Sequence, residues 1–169
     1  KTASAQIITN WRQLDVVLAN AGVGIFAPID TLSEKDRATM IDTNLTGAFY
    51  TLKASVEALK KSQGYYITMA SLAGTNFFAQ GAGYNASKFG LVGFTQAAML
   101  DLRPHGIKVS TIMPGSVATH FNNNIPDDKD AWKIHPDDIG KLVIDLLTMH
   151  PRTLPSKIEV RPSRPDLKK

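Results

Sequence analysis

Tyr65-Tyr66-Ile67-Thr68-Met69-Ala70-Ser71 and Ile107-Lys108-Val109-Ser110-Thr111-Ile112-Met113-Pro114-Gly115 decide the fold. Each is a short run of β-branched, aromatic and apolar residues closed by turn formers, as expected of a strand buried on both faces. Between them, Gly83-Tyr84-Asn85-Ala86-Ser87-Lys88-Phe89-Gly90 opens a stretch with Leu91, Val92, Phe94, Ala97, Ala98 and Leu102 at helical spacing. Pro104-His105-Gly106 stops it. Strand, helix, strand in that order predicts a βαβ unit with parallel strands.

The same grammar extends in both directions. Upstream, Leu14 to Ala19 reads as a buried parallel strand ending at Asn20-Ala21-Gly22-Val23-Gly24. Lys1 to Gln13 reads as the end of a helix with Ile7, Ile8 and Trp11 on one face. Ser33-Glu34-Lys35-Asp36 is a cap-like start. Ile41, Leu45, Ala48, Phe49, Leu52, Val56 and Leu59 then mark one long helix to about Lys61, which Gly64 is expected to break. Its middle holds Asp42, Thr43, Asn44, Thr46 and Gly47, poor helix formers that predict a kink or bulge near Asn44. Downstream, Pro136-Asp137-Asp138 opens a helix with Ile139, Leu142, Val143, Leu146 and Leu147 on its buried face, ended by His150-Pro151. Lys157 to Val160 is a last short strand. The expected fold class is α/β, a parallel sheet with right-handed crossovers.

Such sheets bind ligands beyond the carboxyl ends of their strands. Those ends carry Asn20-Ala21-Gly22, Ser71 and Pro114-Gly115, and the Tyr84 helix starts on the same side. Ser116 to His135 has no clear period and is about twenty residues long, so it is expected to be a mobile substrate lid, anchored by Phe121 and Trp132. Tyr84 and Lys88 stand one helical turn apart. A phenol has a pKa of about 10, and a neighbouring ammonium lowers it, which makes the pair a candidate general acid and base. Taken alone, that spacing usually marks a solvated pair; its convergence with the strand ends is what singles it out.

Composition excludes other classes. The chain has 169 residues, 43% hydrophobic and 20% charged, which suits a single domain. Its net charge of +4 gathers towards the C-terminal end, with no aromatic-interleaved basic patch, so no nucleic-acid partner is expected. Cysteine is absent, which fits a reducing, cytoplasmic setting and rules out thiol chemistry. No run is long and apolar enough for a membrane span, and no signal peptide opens the chain. The four histidines, His105, His120, His135 and His150, lack metal-ligand spacing. No G-x-S-x-G elbow supports a hydrolase. Gly22-Val23-Gly24-Ile25-Phe26-Ala27 matches a dinucleotide fingerprint in letters only: Pro28 and Asp30 follow where a helix should open, so it reads as a tight turn.

Asn20-Ala21-Gly22, Asn44, Ser71, Tyr84-x-x-x-Lys88 and Pro114-Gly115-x-Val117-x-Thr119 together resemble the short-chain dehydrogenases/reductases, from about Leu14 to Val160. Ser71 lies 13 residues before Tyr84, and Asn20 lies 24 before Asn44, spacings similar to that family's. The resemblance implies a Rossmann-like doubly wound sheet and an NAD- or NADP-dependent oxidoreductase interconverting a secondary alcohol and a ketone or aldehyde. Tyr84 would carry the substrate proton. Lys88 would lower the pKa of Tyr84 and bond the nicotinamide ribose. Ser71 would hold the substrate oxygen, and Asn44 a water relaying protons from Lys88. Asn20, Ala21 and Gly22 would line the adenosine-ribose side, and Pro114, Gly115, Val117 and Thr119 would flank the nicotinamide.

The resemblance also implies a homodimer or homotetramer through the Asn44 and Tyr84 helices, where Met40 and Leu100 extend the apolar surface. The family's N-terminal β-α-β-α-β half, with its glycine-rich pyrophosphate loop, has no counterpart in these residues. A longer polypeptide is therefore expected, and weak dinucleotide binding by the 169 residues alone. Ala19 stands where the family often has asparagine. Ile158-Glu159-Val160-Arg161-Pro162 is closer to the branch acting on small hydroxy acids, sugars or aldehydes than to the fatty-acid ketoreductases. A competing reading is a non-catalytic fragment that keeps only the dimerising helices.

Overall fold

The computed structural model describes residues 2–164. Its elements are α1 (Thr2–Trp11), β1 (Val16–Ala19), α2 (Glu34–Ile41), α3 (Gly47–Ser62), β2 (Tyr65–Met69), α4 (Ala82–Leu102), β3 (Lys108–Pro114), α5 (Pro136–Thr148) and β4 (Lys157–Val160). The four strands lie in the order β1-β2-β3-β4, all parallel, with Val16 opposite Tyr65, Tyr65 opposite Lys108 and Thr111 opposite Lys157. This is a Rossmann-like sheet with helices on both faces.

Alternation along the strands assigns the faces. Tyr66 and Val109 point to one side, where Leu52 and Leu59 of α3 and Ala98 and Leu102 of α4 cover them. Tyr65, Ile67 and Ile112 point to the other, against Leu146 of α5, with Leu142, Val143, Ile158 and Val160 around it. The chain steps in one direction across the sheet, yet α5 packs on the face opposite α3 and α4. The last crossover therefore has the opposite hand to the first two, a correction to the uniform right-handed series. Strands β2 and β3 are apolar on both faces, and burying the second face requires a helix there.

Polar groups inside the sheet are paired. The Thr68 hydroxyl bonds those of Thr95 and Thr111 at 2.9 and 3.0 Å, and the Tyr66 phenol donates to the Ala48 carbonyl at 2.8 Å. Strand β1 is buried on one face only. Val17 and Ala19 pack on the core while Val16 and Leu18 are exposed, because no described element covers their side. Helix α1 divides similarly: Ile7 packs on that core, but Trp11 is 71% exposed.

The expected bulge is a five-residue π-helical turn, Asp42–Thr46, joining α2 to α3. Its wider i→i−5 bonding pushes one residue out of α-helical register, and such bulges are frequent at functional sites. Ser33 caps α2 by accepting from the Asp36 N–H. Gln63, not Gly64, takes the left-handed conformation that ends α3. Gly64 is required for a different reason: a Cβ there would lie 2.4 Å from the Asp15 carbonyl oxygen. Met40 is fully buried, so it is not part of the exposed apolar surface; Phe49, Tyr50, Phe89 and Leu100 are. Among the described residues no helix is long and apolar enough to cross a membrane, and no His, Cys, Asp or Glu cluster could hold a metal ion.

Candidate active site

The C-terminal ends of β1, β2 and β3 and the first turn of α4 surround a cleft of about 1740 Å³. Every residue singled out from the sequence lines it except Asn44, which lies beneath its floor. Topology alone assembles residues spread from Asn20 to Thr119.

Tyr84 sits in the first turn of α4, with Lys88 one turn on; both are buried. The Lys88 ammonium donates to the Met69 carbonyl at 3.0 Å and lies 5.7 Å from the centre of the Tyr84 ring. Burial acts on both groups against their charged forms. It pushes Lys88 down to about 8. It also raises Tyr84 above the usual phenol value, with the Ser71 hydroxyl partly offsetting the rise. The expected lowering of Tyr84 by Lys88 does not appear: burial raises the phenol, and Ser71 is the group that lowers it. Ser71 closes β2, accepts from the Ala73 N–H at 3.1 Å and reaches the Pro114 carbonyl at 3.5 Å, tying the ends of β2 and β3 together.

Asn44 is 1% exposed and every polar atom of its side chain is engaged. Its Nδ2 donates to the Val23 carbonyl at 2.8 Å and to Ser87 Oγ at 2.9 Å, and its Oδ1 accepts from the Val23 N–H at 2.8 Å. The π-turn thereby clamps the Asn20–Gly24 loop against α4. A Cβ on Gly22 would stand 3.3 Å from Asn44 Oδ1 and 3.4 Å from Lys88 Nζ. Glycine there lets the loop lie close against both groups.

Two residues inside the motif itself escaped the sequence reading. Asn85 donates from Nδ2 to the Ala73 and Asn76 carbonyls, both at 2.7 Å, fastening the loop after Ser71 to α4. Ser87 donates to the Tyr84 carbonyl at 2.8 Å while accepting from Asn44. Their signal was available: two polar side chains in the first turns of a helix whose other residues are mostly small and apolar. Also unread were Phe26 and Phe78, which line the cleft with Phe121 and Trp132.

Segment 116–135 folds over this floor. Val117 and Ile134 form a parallel bridge at its base, with the Ala118 N–H donating to Ile134 at 2.9 Å and the Ile134 N–H to Ser116 at 3.0 Å. Lys133 pairs with Asp130 at 2.6 Å, and Asn124 donates to the same carboxylate at 3.1 Å. His135 caps α5 in a reciprocal box with Asp138.

Comparison with known proteins agrees with this geometry. The sequence model described as short chain dehydrogenase matches residues 1–130. A sepiapterin reductase of Chlorobaculum tepidum is 28% identical over 165 residues, covering 97% of this chain and 68% of the relative. A trans-4-hydroxycyclohexanecarboxylate dehydrogenase of Sinomonas cyclohexanicum is 37% identical over 106 residues, 63% of this chain and 41% of the relative. An alcohol dehydrogenase from the archaeon Thermococcus sibiricus, complexed with 5-hydroxy-NADP, superposes with a TM-score of 0.89 at 28% identity, over 96% of this chain and 69% of its own. The chain thus spans from about two fifths to just over two thirds of the length of these relatives. Motif order, a parallel sheet that gathers those motifs at one edge, and a family match over most of the residues converge on one assignment: the chain belongs to the short-chain dehydrogenase family.

Proposed function

We propose that the protein is an NAD- or NADP-dependent oxidoreductase that interconverts a secondary alcohol with its ketone, with Tyr84 as the proton donor and acceptor. The observation that carries this reading is the burial of Tyr84, Lys88 and the Asn44–Ser87 network under one open cleft. Burying an ammonium is costly, and a scaffold built only to dimerise has no use for it.

The residues present fit the nicotinamide end of a dinucleotide. Lys88, which lines the cleft beside Gly22, would bond a ribose, Pro114 to Thr119 would flank the ring, and Asn20 to Gly22 would line the adenosine-ribose side. The bound dinucleotide supplies or accepts the hydride at the substrate carbon. In the reductive direction Ser71 would bond the carbonyl oxygen, and the Tyr84 hydroxyl would give that oxygen its proton. Lys88, with a pKa of about 8, would restore the proton to Tyr84 from solvent. A relay water would bond the main chain of Asn44, since its side chain is committed. The exposed faces of α3 and α4, with Phe49, Tyr50, Phe89 and Leu100, are proposed as the surface that pairs subunits.

The test is turnover of secondary alcohols and ketones by the full-length protein with each dinucleotide, followed by nicotinamide absorbance. Turnover that disappears in Tyr84→Phe supports the proposal. Unchanged turnover in that variant removes Tyr84 from the mechanism.

A further inference from the structure

Two phenylalanines from different loops pack on the Tyr84 ring, and a third, from another loop, packs on one of them. Phe26, after β1, stands edge-on to it, with ring centres 5.4 Å apart and planes at 89°. Phe78, before α4, stands edge-on to Phe26 at 5.5 Å and 75°. Phe121, from segment 116–135, tilts over Tyr84 at 5.9 Å. It is seated against Gly24, where a Cβ would come within 2.6 Å of its ring.

All three line the cleft, and they remain 37%, 45% and 39% exposed. Core aromatics are seldom left so open, and large apolar side chains grouped in a cavity mark a ligand surface. The wall abuts the Tyr84 phenol, so its occupant is the group bonded to the reacting carbon. Edge-to-face pairing favours a planar ring over a saturated one of the same size, because the ring edge is positive and the ring face negative.

We infer that the cleft takes a substrate with an aromatic substituent directly on its carbonyl or carbinol carbon, an aryl ketone or aryl carbinol, held by Phe26, Phe78 and Phe121. This inference rests on the oxidoreductase reading above and names its substrate class.

Acetophenone and cyclohexyl methyl ketone, matched in carbon number and differing in planarity, test it in the full-length protein. The readout is the ratio of their kcat/KM values in wild type divided by the same ratio in Phe26→Leu and in Phe121→Leu. The division cancels intrinsic reactivity, and leucine keeps the wall apolar. Each variant should lower the preference for the aryl ketone about three- to ten-fold, the worth of one aromatic pair. Ile125→Ala, in the same segment and outside the cleft, should leave the ratio unchanged. A ratio that the phenylalanine variants do not move, or that Ile125→Ala moves equally, overturns the inference.

If no ketone is turned over by any form, the oxidoreductase reading falls, and binding still reads the wall. Saturation transfer from the protein to 1-phenylethanol should exceed that to 1-cyclohexylethanol, and should drop in Phe26→Leu. Equal transfer to both alcohols overturns the inference.

Discussion

The first turn of α4 and the segment 116–135 face each other across the cleft. In the first, Asn85 and Ser87 reach in opposite directions, one holding the loop after Ser71 and the other, through Asn44, the loop after β1. No buried side-chain polar atom among the described residues lacks a partner. The segment 116–135 is tied at its base by the Val117–Ile134 bridge and braced by an Asp130–Lys133 pair, with Phe121 as its contact to the floor. Asn122 and Asn123 adopt left-handed backbone, with φ of 55° and 59°. The floor is locked by buried hydrogen bonds, each expensive to leave unmade. Segment 116–135 is held by fewer contacts, as expected if it serves as a lid that a ligand rearranges at small cost. Chemistry that needs atoms in register sits on the locked side.

The largest expected effects break the floor. Tyr84→Phe should lower turnover by a factor of about 10²–10⁴, the ordinary weight of a general acid, with dinucleotide affinity nearly unchanged in a titration. Lys88→Ala should lose both rate and affinity; a loss confined to affinity would remove Lys88 from the proton path.

Lys88 also makes a prediction for stability. Its folded pKa of about 8 lies below its ordinary 10.5, so between these values the unfolded chain binds more protons and stability rises with pH. The whole rise is of order 3 kcal/mol. Lys88→Met should abolish it in denaturant titrations across that window. Above pH 10 stability should fall in both proteins. Tyr65, Tyr66 and Tyr84 are all raised by burial and stay protonated when the unfolded tyrosines ionise.

Ser87→Ala should cost about 1–3 kcal/mol, because the Asn44 amide would lose a buried acceptor. An equal or larger cost in Asn44→Ala, with the double variant less than additive, would identify the two as one network.

The smallest effect sharpens the other side of the comparison. Hydrogen exchange in segment 116–135 should be faster than in α4 without ligand, and should slow when substrate and dinucleotide are bound. Protection that ligands leave unchanged would refute a lid. Dissociation constants for the subunit pair, raised by Leu100→Glu in sedimentation, test the α3–α4 surface separately.

Tyr84, Lys88, Ser71 and Pro114-Gly115 were legible in the sequence because each couples a residue type to a place in a βαβ repeat; Val117 and Thr119 entered only through the family resemblance. So were the helix starts at Ser33 and Pro136 and the bulge at Asn44, since capping and helix propensity are local properties. The phenylalanine wall was not legible. Phe26, Phe78 and Phe121 lie in loops without periodicity, and their meeting depends on how three crossovers return the chain to one sheet edge.

The side of the sheet taken by α5 and the burial of Met40 were decided in the same way. An amphipathic pattern says that a face will be buried, but packing against neighbours selects which surface buries it. The direction of the Tyr84 shift shows that division most directly. The sequence by itself determined that an ammonium stands one turn from a phenol, because helical spacing is a local matter. Only the tertiary structure decided how dry their surroundings are, and in this buried site desolvation works against the charged form of each group.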